Sequence, residues 1–251
     1  QKGFKVIGLD FDKNKINKLK KFSTSYGEPY LNSTIYKNKN KIVFTSNFSE
    51  LKKCQLVFIS EDINTDDGGN SNYNSINRII KNTSKYINKK ATMVILSQVK
   101  PGFTRNTNFD TQRLYYQVET LIFGNAIKRA LNPERIIVGC KNPKNKLNKF
   151  FLKYLLSFKC PIIKMRYESA ELAKISINML LASTITTTNM LSQICEKISA
   201  DWYEIIPALK LDERIGKKAY LTPGLGISGG NIERDIRSVH KILKKNNQPV
   251  S

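Results

Sequence analysis

The sequence predicts an α/β chain: an open parallel-sheet domain followed by an all-α domain built on one long central helix. Three observations predict it. From Phe4 onward, short apolar runs rich in Val and Ile alternate with amphipathic helical patterns, the signature of strands joined by helical crossovers. Near residue 165 the strand signals stop. Soon after, Ser169–Ser199 runs without Pro or Gly and carries apolar residues at helical spacing, too long for an ordinary surface helix. The expected domains are therefore 1–165 and 166–251.

Taken in order, Phe4–Asp10 (F-K-V-I-G-L-D) is a short strand closed by an acid, and Ile16, Leu19 and Phe22 mark the helix after it. Lys41–Thr45 is a second strand, and Gln55–Ser60 a third with buried character. A polar loop with Asp66, Asp67, Gly68 and Gly69 leads into an amphipathic helix marked by Ile76, Ile79, Ile80 and Ile87. Ala91–Ser97 is the next strand, closed by Lys100-Pro101-Gly102. Leu114–Gln117 and Arg135–Gly139 are two more, with a helix near Lys146–Leu156.

In the second part, Leu172, Ile175, Met179, Leu180, Ala182, Ile185, Leu191, Ile194 and Ile198 give the long helix a broad apolar face. Ser169 is expected as its N-cap, with Glu171 in the first turn, where the helix dipole favours a carboxylate. Small and β-branched residues from Ala182 to Thr188 suit close packing against other helices. Lys174 and Asn178 lie one turn apart on one face. A polar pair among Leu172, Ile175, Ile177 and Met179 requires partners, and a functional site supplies them. A shorter helix around Asp201–Leu211, a Gly-rich loop from Tyr220 to Gly230 and a helix through Arg237–Leu243 complete the chain.

At 251 residues there is room for a substantial core. The formal net charge of +22 raises the question of nucleic acid. The lysines are scattered, however (Lys13, Lys15, Lys18, Lys37, Lys141, Lys149 among them), and Asn and Ile are abundant too, which reads as composition bias. No nucleic-acid partner is expected, and a basic RNA-associated protein is the third of three readings. Cys54, Cys140, Cys160 and Cys195 show no metal-type spacing, so no metal is expected and the thiols read as reduced in a cytoplasmic protein. No apolar run has membrane length, and no membrane partner is expected.

Two places invite chemistry. Asp10 stands at a strand end, where dinucleotide-binding folds keep the acid that accepts the adenine ribose hydroxyls. No G-x-G-x-x-G lies near it, but Gln1-Lys2-Gly3 looks like the Gly stop of a preceding helix, which would put a Gly loop and its strand upstream. Thr222–Asp235 (T-P-G-L-G-I-S-G-G-N-I-E-R-D) is the other, a loop whose glycines allow backbone to approach a ligand closely, with Asp235 on the following helix.

Here the chain resembles the UDP-glucose/GDP-mannose dehydrogenase family. The segments K-V-I-G-L-D-F-D-K-N-K-I, V-F-I-S-E-D-I-N-T-D-D-G-G-N, V-K-P-G-F-T-R, R-A-L-N-P-E-R-I-I-V-G, A-E-L-A-K-I-S-I-N, I-C-E-K-I-S-A-D and D-E-R-I-G through P-G-L-G carry the likeness in family order. The resemblance implies a partial Rossmann-type NAD-binding domain lacking its first strand and Gly loop, then the central helical dimerisation domain, with the family's C-terminal domain lacking. It implies NAD as cofactor, a nucleotide-sugar substrate and a homodimer. Asp10 and Ser97 would face the cofactor. Lys174, Asn178 and Asp235 would be catalytic, and Glu119, Arg214, Gly226 and Gly229 would meet the substrate.

The departures are specific. The family's catalytic Cys falls on Asn231, which therefore takes the fourth catalytic position. The second Glu of the family's P-E-F-L-R-E-G segment falls on Phe123, the Thr of its S-T-V-P segment on Gln98, and a Thr-Pro on Ile63-Asn64. An Asn amide is not a nucleophile for capturing an aldehyde. The resemblance therefore implies a single alcohol oxidation in place of the family's two. The runner-up reading is a silenced member that binds a nucleotide sugar or a partner subunit.

Overall fold

The protein is described by a computed structural model covering residues 2–22, 24, 26–66, 70–226 and 230–248, the side chain of Asn231 excepted. Asp67, Gly68, Gly69 and Gly229 lie outside the described residues. The chain divides into two compact units, Gln1–Ile63 with Tyr73–Leu172, and Asn64–Asn72 with Ala173–Ser251.

In the first unit β1 (Val6–Leu9) is followed by α1 (Lys13–Lys20) and α2 (Leu31–Lys37), then β2 (Ile42–Thr45). Asp12 caps α1, its Oδ1 accepting the N–H of Asn14 at 2.7 Å and of Lys15 at 3.2 Å. A 3-10 turn at Phe48–Lys53 leads to β3 (Leu56–Ile59), α3 (Asn74–Tyr86), β4 (Thr92–Ile95), β5 (Leu114–Gln117), α4 (Ala126–Leu131), β6 (Ile136–Cys140), α5 (Lys149–Leu156) and β7 (Ile162–Arg166). Every residue of β4, β5 and β6 is buried, as strands covered on both faces require. The core joins Val94, Tyr115, Ile136, Val138 and Cys140 of the sheet to Phe151 and Leu155 of α5. At Gly139 a Cβ would come within 2.9 Å of the Ala170 Cβ and 3.1 Å of the Tyr116 Cβ, so the absence of a side chain is what lets the next helix approach the sheet.

The sheet differs from an uninterrupted parallel one in two respects. β5 and β6 pair antiparallel, while β3–β4, β4–β5 and β6–β7 are parallel. The six-residue α4 does not carry the chain back to the starting edge, whereas α5 does, and parallel pairing needs such a crossover. The second difference is a break. β1 pairs in parallel with β2 alone, and β3 to β7 form a separate five-stranded sheet in chain order. Phe4, just ahead of β1, and Phe58 of β3 both pack on Tyr154 of α5, with ring centroids 5.8 and 4.9 Å from it. The two free edges thus flank one helix. The doubly wound order is 3-2-1-4-5-6, and the order here matches it with strand 1 left out.

α6 (Tyr167–Ile198) is the expected long helix, 32 residues in length. It starts two residues before Ser169, because β7 runs straight into it; Ser169 is therefore inside the helix and not its cap. The boundary between the compact units falls in its second turn, after Leu172. Ile175, Asn178, Ala182, Thr188 and Cys195 form its buried stripe, while Leu180, Met190, Ile194 and Ile198 are exposed. In the second unit α7 (Trp202–Leu211) is capped by Asp201, whose Oδ1 accepts the N–H of Tyr203 at 2.7 Å. Trp202 and Cys195 pack with Leu221, and the Trp202 indole N–H donates to the Leu221 carbonyl at 2.8 Å. Thr188 donates to the Tyr220 carbonyl at 3.1 Å, and Asn189 accepts the N–H of Gly224 at 3.0 Å. These bonds lay the 220–224 segment along α6, ahead of α8 (Gly230–Lys245). Among the described residues no helix is long and apolar enough to cross a membrane.

Candidate functional site

Asp10 follows the last residue of β1, at its carboxyl end, where open α/β sheets bind ligands. Its N–H continues the ladder to the Thr45 carbonyl at 3.3 Å, which fixes the residue, and its side chain is partly exposed. One carboxylate oxygen meets the Lys15 ammonium at 2.6 Å and the other accepts the N–H of Asp12 at 3.0 Å. Burial works to raise the Asp10 carboxyl, but the Lys15 and backbone donors outweigh it and hold it below the usual range. It is an ionised acceptor, suited to a pair of ribose hydroxyls. Ser97, just past β4, is buried, and its hydroxyl donates to the Ile59 carbonyl at 3.4 Å.

Glu119 follows β5 in a segment held from two sides. Glu28 accepts the N–H groups of Gly124 and Ala126 at 2.7 and 2.8 Å, and Arg129 donates to the Thr120 carbonyl at 2.9 Å. The Glu119 carboxylate accepts the N–H of Thr120 at 3.0 Å and lines a cleft of about 360 Å³ with Gln117, Arg129, Arg135 and Tyr154. Burial, helped by the Glu119 charge, pushes the Tyr154 phenol up to about 12. Phe123, in the same segment, is exposed.

In the second unit the structure brings two predicted residues together. The Asn178 amide donates to Asp235 Oδ2 at 2.6 Å, joining α6 to α8, and both residues are buried. The sequence reading missed a third member: Arg234 is buried beside them, its Nε 3.9 Å from Asp235 Oδ1. The other oxygen of Asp235 thus faces a cation. The place of Arg234 next to a predicted catalytic acid was the one signal available in the sequence; its burial was not. Lys174 stands one turn before Asn178 on α6. Gly226 adopts φ +97°, a left-handed conformation that glycine supplies without strain. Arg214 is largely exposed and held by Asp212 through its Nε at 3.0 Å and Nη2 at 2.6 Å. Asn231 lies in α8, with its side chain outside the described residues, as is Gly229.

For NAD the fit is partial. Asp10 suits the ribose end, but the pyrophosphate needs a Gly-rich turn at a helix N-terminus. Between β1 and β3, where a doubly wound sheet carries that turn, the described residues hold no strand.

A doubly wound strand order with an acid after its first strand, followed by a unit built on a long helix, is a Rossmann-like domain with a helical domain behind it. Residues 1–154 match the NAD binding domain of the UDP-glucose/GDP-mannose dehydrogenase family and residues 168–251 match its central domain; the chain belongs to that family. It is 31% identical to the UDP-glucose 6-dehydrogenase of Rickettsia bellii over 97% of its own length and 58% of that protein's. It is 30% identical to the uncharacterized protein MJ1054 of Methanocaldococcus jannaschii over 93% of its length and 27% of the relative's. The fold is that of a UDP-glucose dehydrogenase from Pyrobaculum islandicum, with TM-score 0.84, 21% identity, and coverage of 98% of this chain and 60% of that one. The chain thus spans less than two thirds of these relatives.

Proposed function

We propose that the protein is an NAD-dependent oxidoreductase acting on a CH–OH group of a nucleotide sugar and stopping after one oxidation. The observation that carries the reading is the buried contact between Asn178 and Asp235 at 2.6 Å, beside Lys174 on the same helix. NAD, when bound, takes the hydride. The chain's own residues hold the hydroxyl and receive its proton: the Lys174 ammonium donates to the reacting oxygen, the Asn178 carbonyl oxygen orients a water, and Asp235 accepts the proton through that water. Each carboxylate oxygen has a second lone pair, so Asp235 can do this while bonded to Asn178. Asp10 and Ser97 serve the cofactor, and Glu119, Arg214, Gly226 and Gly229 the sugar nucleotide.

Asn231 in place of the Cys leaves no thiolate to capture an aldehyde, and Phe123 and Gln98 leave no Glu or Thr to assist hydrolysis of a thioester. The exposed Leu180, Met190, Ile194 and Ile198 on α6 support a homodimer built on that helix. Cytoplasmic location follows from the same reading. The experiment is NADH yield and product mass for the full-length protein over a panel of UDP- and GDP-sugars. One NADH per sugar, with an aldehyde or ketone product, is expected; Asn231→Cys should add a covalent adduct at residue 231 without releasing acid. Two NADH and a uronic acid from the unmodified protein overturn the single oxidation. Nucleotide-sugar binding without turnover favours the silenced reading, to which the same loss of the nucleophile also points.

A further inference from the structure

Glu171 is fully buried in the second turn of α6, and both of its carboxylate oxygens are directed at the loop that leaves β4. Oε2 accepts the N–H of Gly102 at 2.6 Å and Oε1 the N–H of Thr104 at 2.8 Å. Burial pushes the carboxyl up, against the pull of those donors, so an ionised group is held here at a cost. The loop is not short of other anchors. Arg105 forms a two-pronged pair with Glu168, and the Tyr167 hydroxyl donates to the Leu114 carbonyl at 2.7 Å. Those contacts fasten residues 105 and 114, farther along the chain. Two side chains reach the stretch directly after Ser97, outside the carboxyl end of β4, where ligands of such sheets lie: Tyr73, whose hydroxyl accepts the N–H of Lys100 at 3.2 Å and whose ring stacks on Phe103, and Glu171, which holds two N–H groups at once.

We propose that Glu171 is a positioning residue for the cofactor: by holding the N–H groups of Gly102 and Thr104 it fixes the 97–104 loop in the shape that receives NAD. This rests on the NAD-dependent reading above. The demand is geometric. Only a Glu here reaches two N–H groups with two acceptors. Gln offers one acceptor, and Asp is a methylene too short to reach both.

The test uses the full-length protein and its Glu171→Gln and Glu168→Gln variants, read by calorimetric NAD affinity, melting temperature and amide exchange of residues 100–107. Glu168→Gln removes the neighbouring anchor and serves as the structural control. The expected result is an NAD affinity at least tenfold weaker in Glu171→Gln with faster exchange at 102 and 104, and an affinity within twofold of wild type in Glu168→Gln. If Glu171→Gln does not fold, Glu171→Asp is judged by the same criteria. Faster exchange with unchanged NAD affinity overturns the proposal, as does an equal loss in both variants. A wild-type protein that binds no NAD overturns the cofactor reading itself, and this inference with it.

Discussion

Replacing Asn178 tests the centre of the proposed site without requiring turnover. In the wild type its amide donates to a buried carboxylate at 2.6 Å. Asn178→Ala removes that donor and leaves Asp235 Oδ2 short of a partner, a loss of about 2 kcal/mol for a bond to a charged group. At about 2–4 °C per kcal/mol for a chain of this size, the melting temperature falls by about 4–8 °C. Asn178→Asp behaves differently, because two carboxylates at hydrogen-bond distance cannot both ionise. Even at a separation of about 4 Å and an effective dielectric of about 20, the repulsion is about 4 kcal/mol. The pair in this variant has a folded pKa raised above that of an unfolded Asp. Its stabilising O–H···O bond is therefore fully present below the unfolded value, about 3.9, and is lost as pH rises through the raised one. Thermal melts at pH 4.5 and pH 8, each relative to wild type, should show a small deficit at the lower pH and one of about 10 °C at the higher. A deficit that does not change with pH would refute the Asn178–Asp235 contact.

Two further outcomes follow from the first unit. Residues 1–251 alone should bind NAD only weakly by calorimetry, since the described sheet has no strand or Gly-rich turn between β1 and β3; tight binding would mean that the pyrophosphate is held elsewhere. The Glu171 carboxyl is raised by burial, so its contribution to stability is present below the unfolded carboxylate value and declines as pH rises through the folded one. The melting advantage of wild type over Glu171→Gln should accordingly shrink between pH 4.5 and pH 7.5, and an advantage that grows would contradict the assignment.

Much of the fold was legible because it is local. Val6–Leu9, Leu56–Ile59, Thr92–Ile95 and Ile136–Cys140 are apolar runs that announce strands, and each lies within two residues of its expected bounds. β7 went unread because it is an edge strand: Ile162–Arg166 carries Lys164 and Arg166, pairs with β6 alone, and stays partly exposed. The break between β1 and β3 was hidden for another reason, since pairing between strands leaves no mark in either one's sequence. At the site, spacing placed Lys174 and Asn178 on one face, position singled out Asp10 at a strand end and Asp235 after the Gly-rich loop, and the resemblance gave them their roles. The contacts that give them meaning span long stretches of chain. Asn178 meets Asp235 across 57 residues, and Glu171 meets Gly102 across 69. Periodicity does not register such contacts: the sequence marks Glu171 only as a carboxylate near a helix start and does not set Arg234 apart, and it is the fold that buries both.

The buried trio of Asn178, Arg234 and Asp235 also separates chemistry from stability. A buried ion pair recovers in attraction roughly what it loses in hydration, so apolar residues of similar volume usually serve a core as well or better. Removing one member is another matter, because it strands the opposite charge. Arg234→Met should therefore cost about 3–5 kcal/mol, the usual penalty for breaking such a pair. Replacing all three together, as Asn178→Leu, Arg234→Met and Asp235→Leu, should restore a melting temperature close to or above wild type while abolishing turnover. That pattern would mean the trio is kept for what it does to a substrate, at no benefit to the fold. A triple variant that melts as low as Arg234→Met alone would show that the cluster holds α6 to α8 structurally, and the catalytic reading would lose its main support.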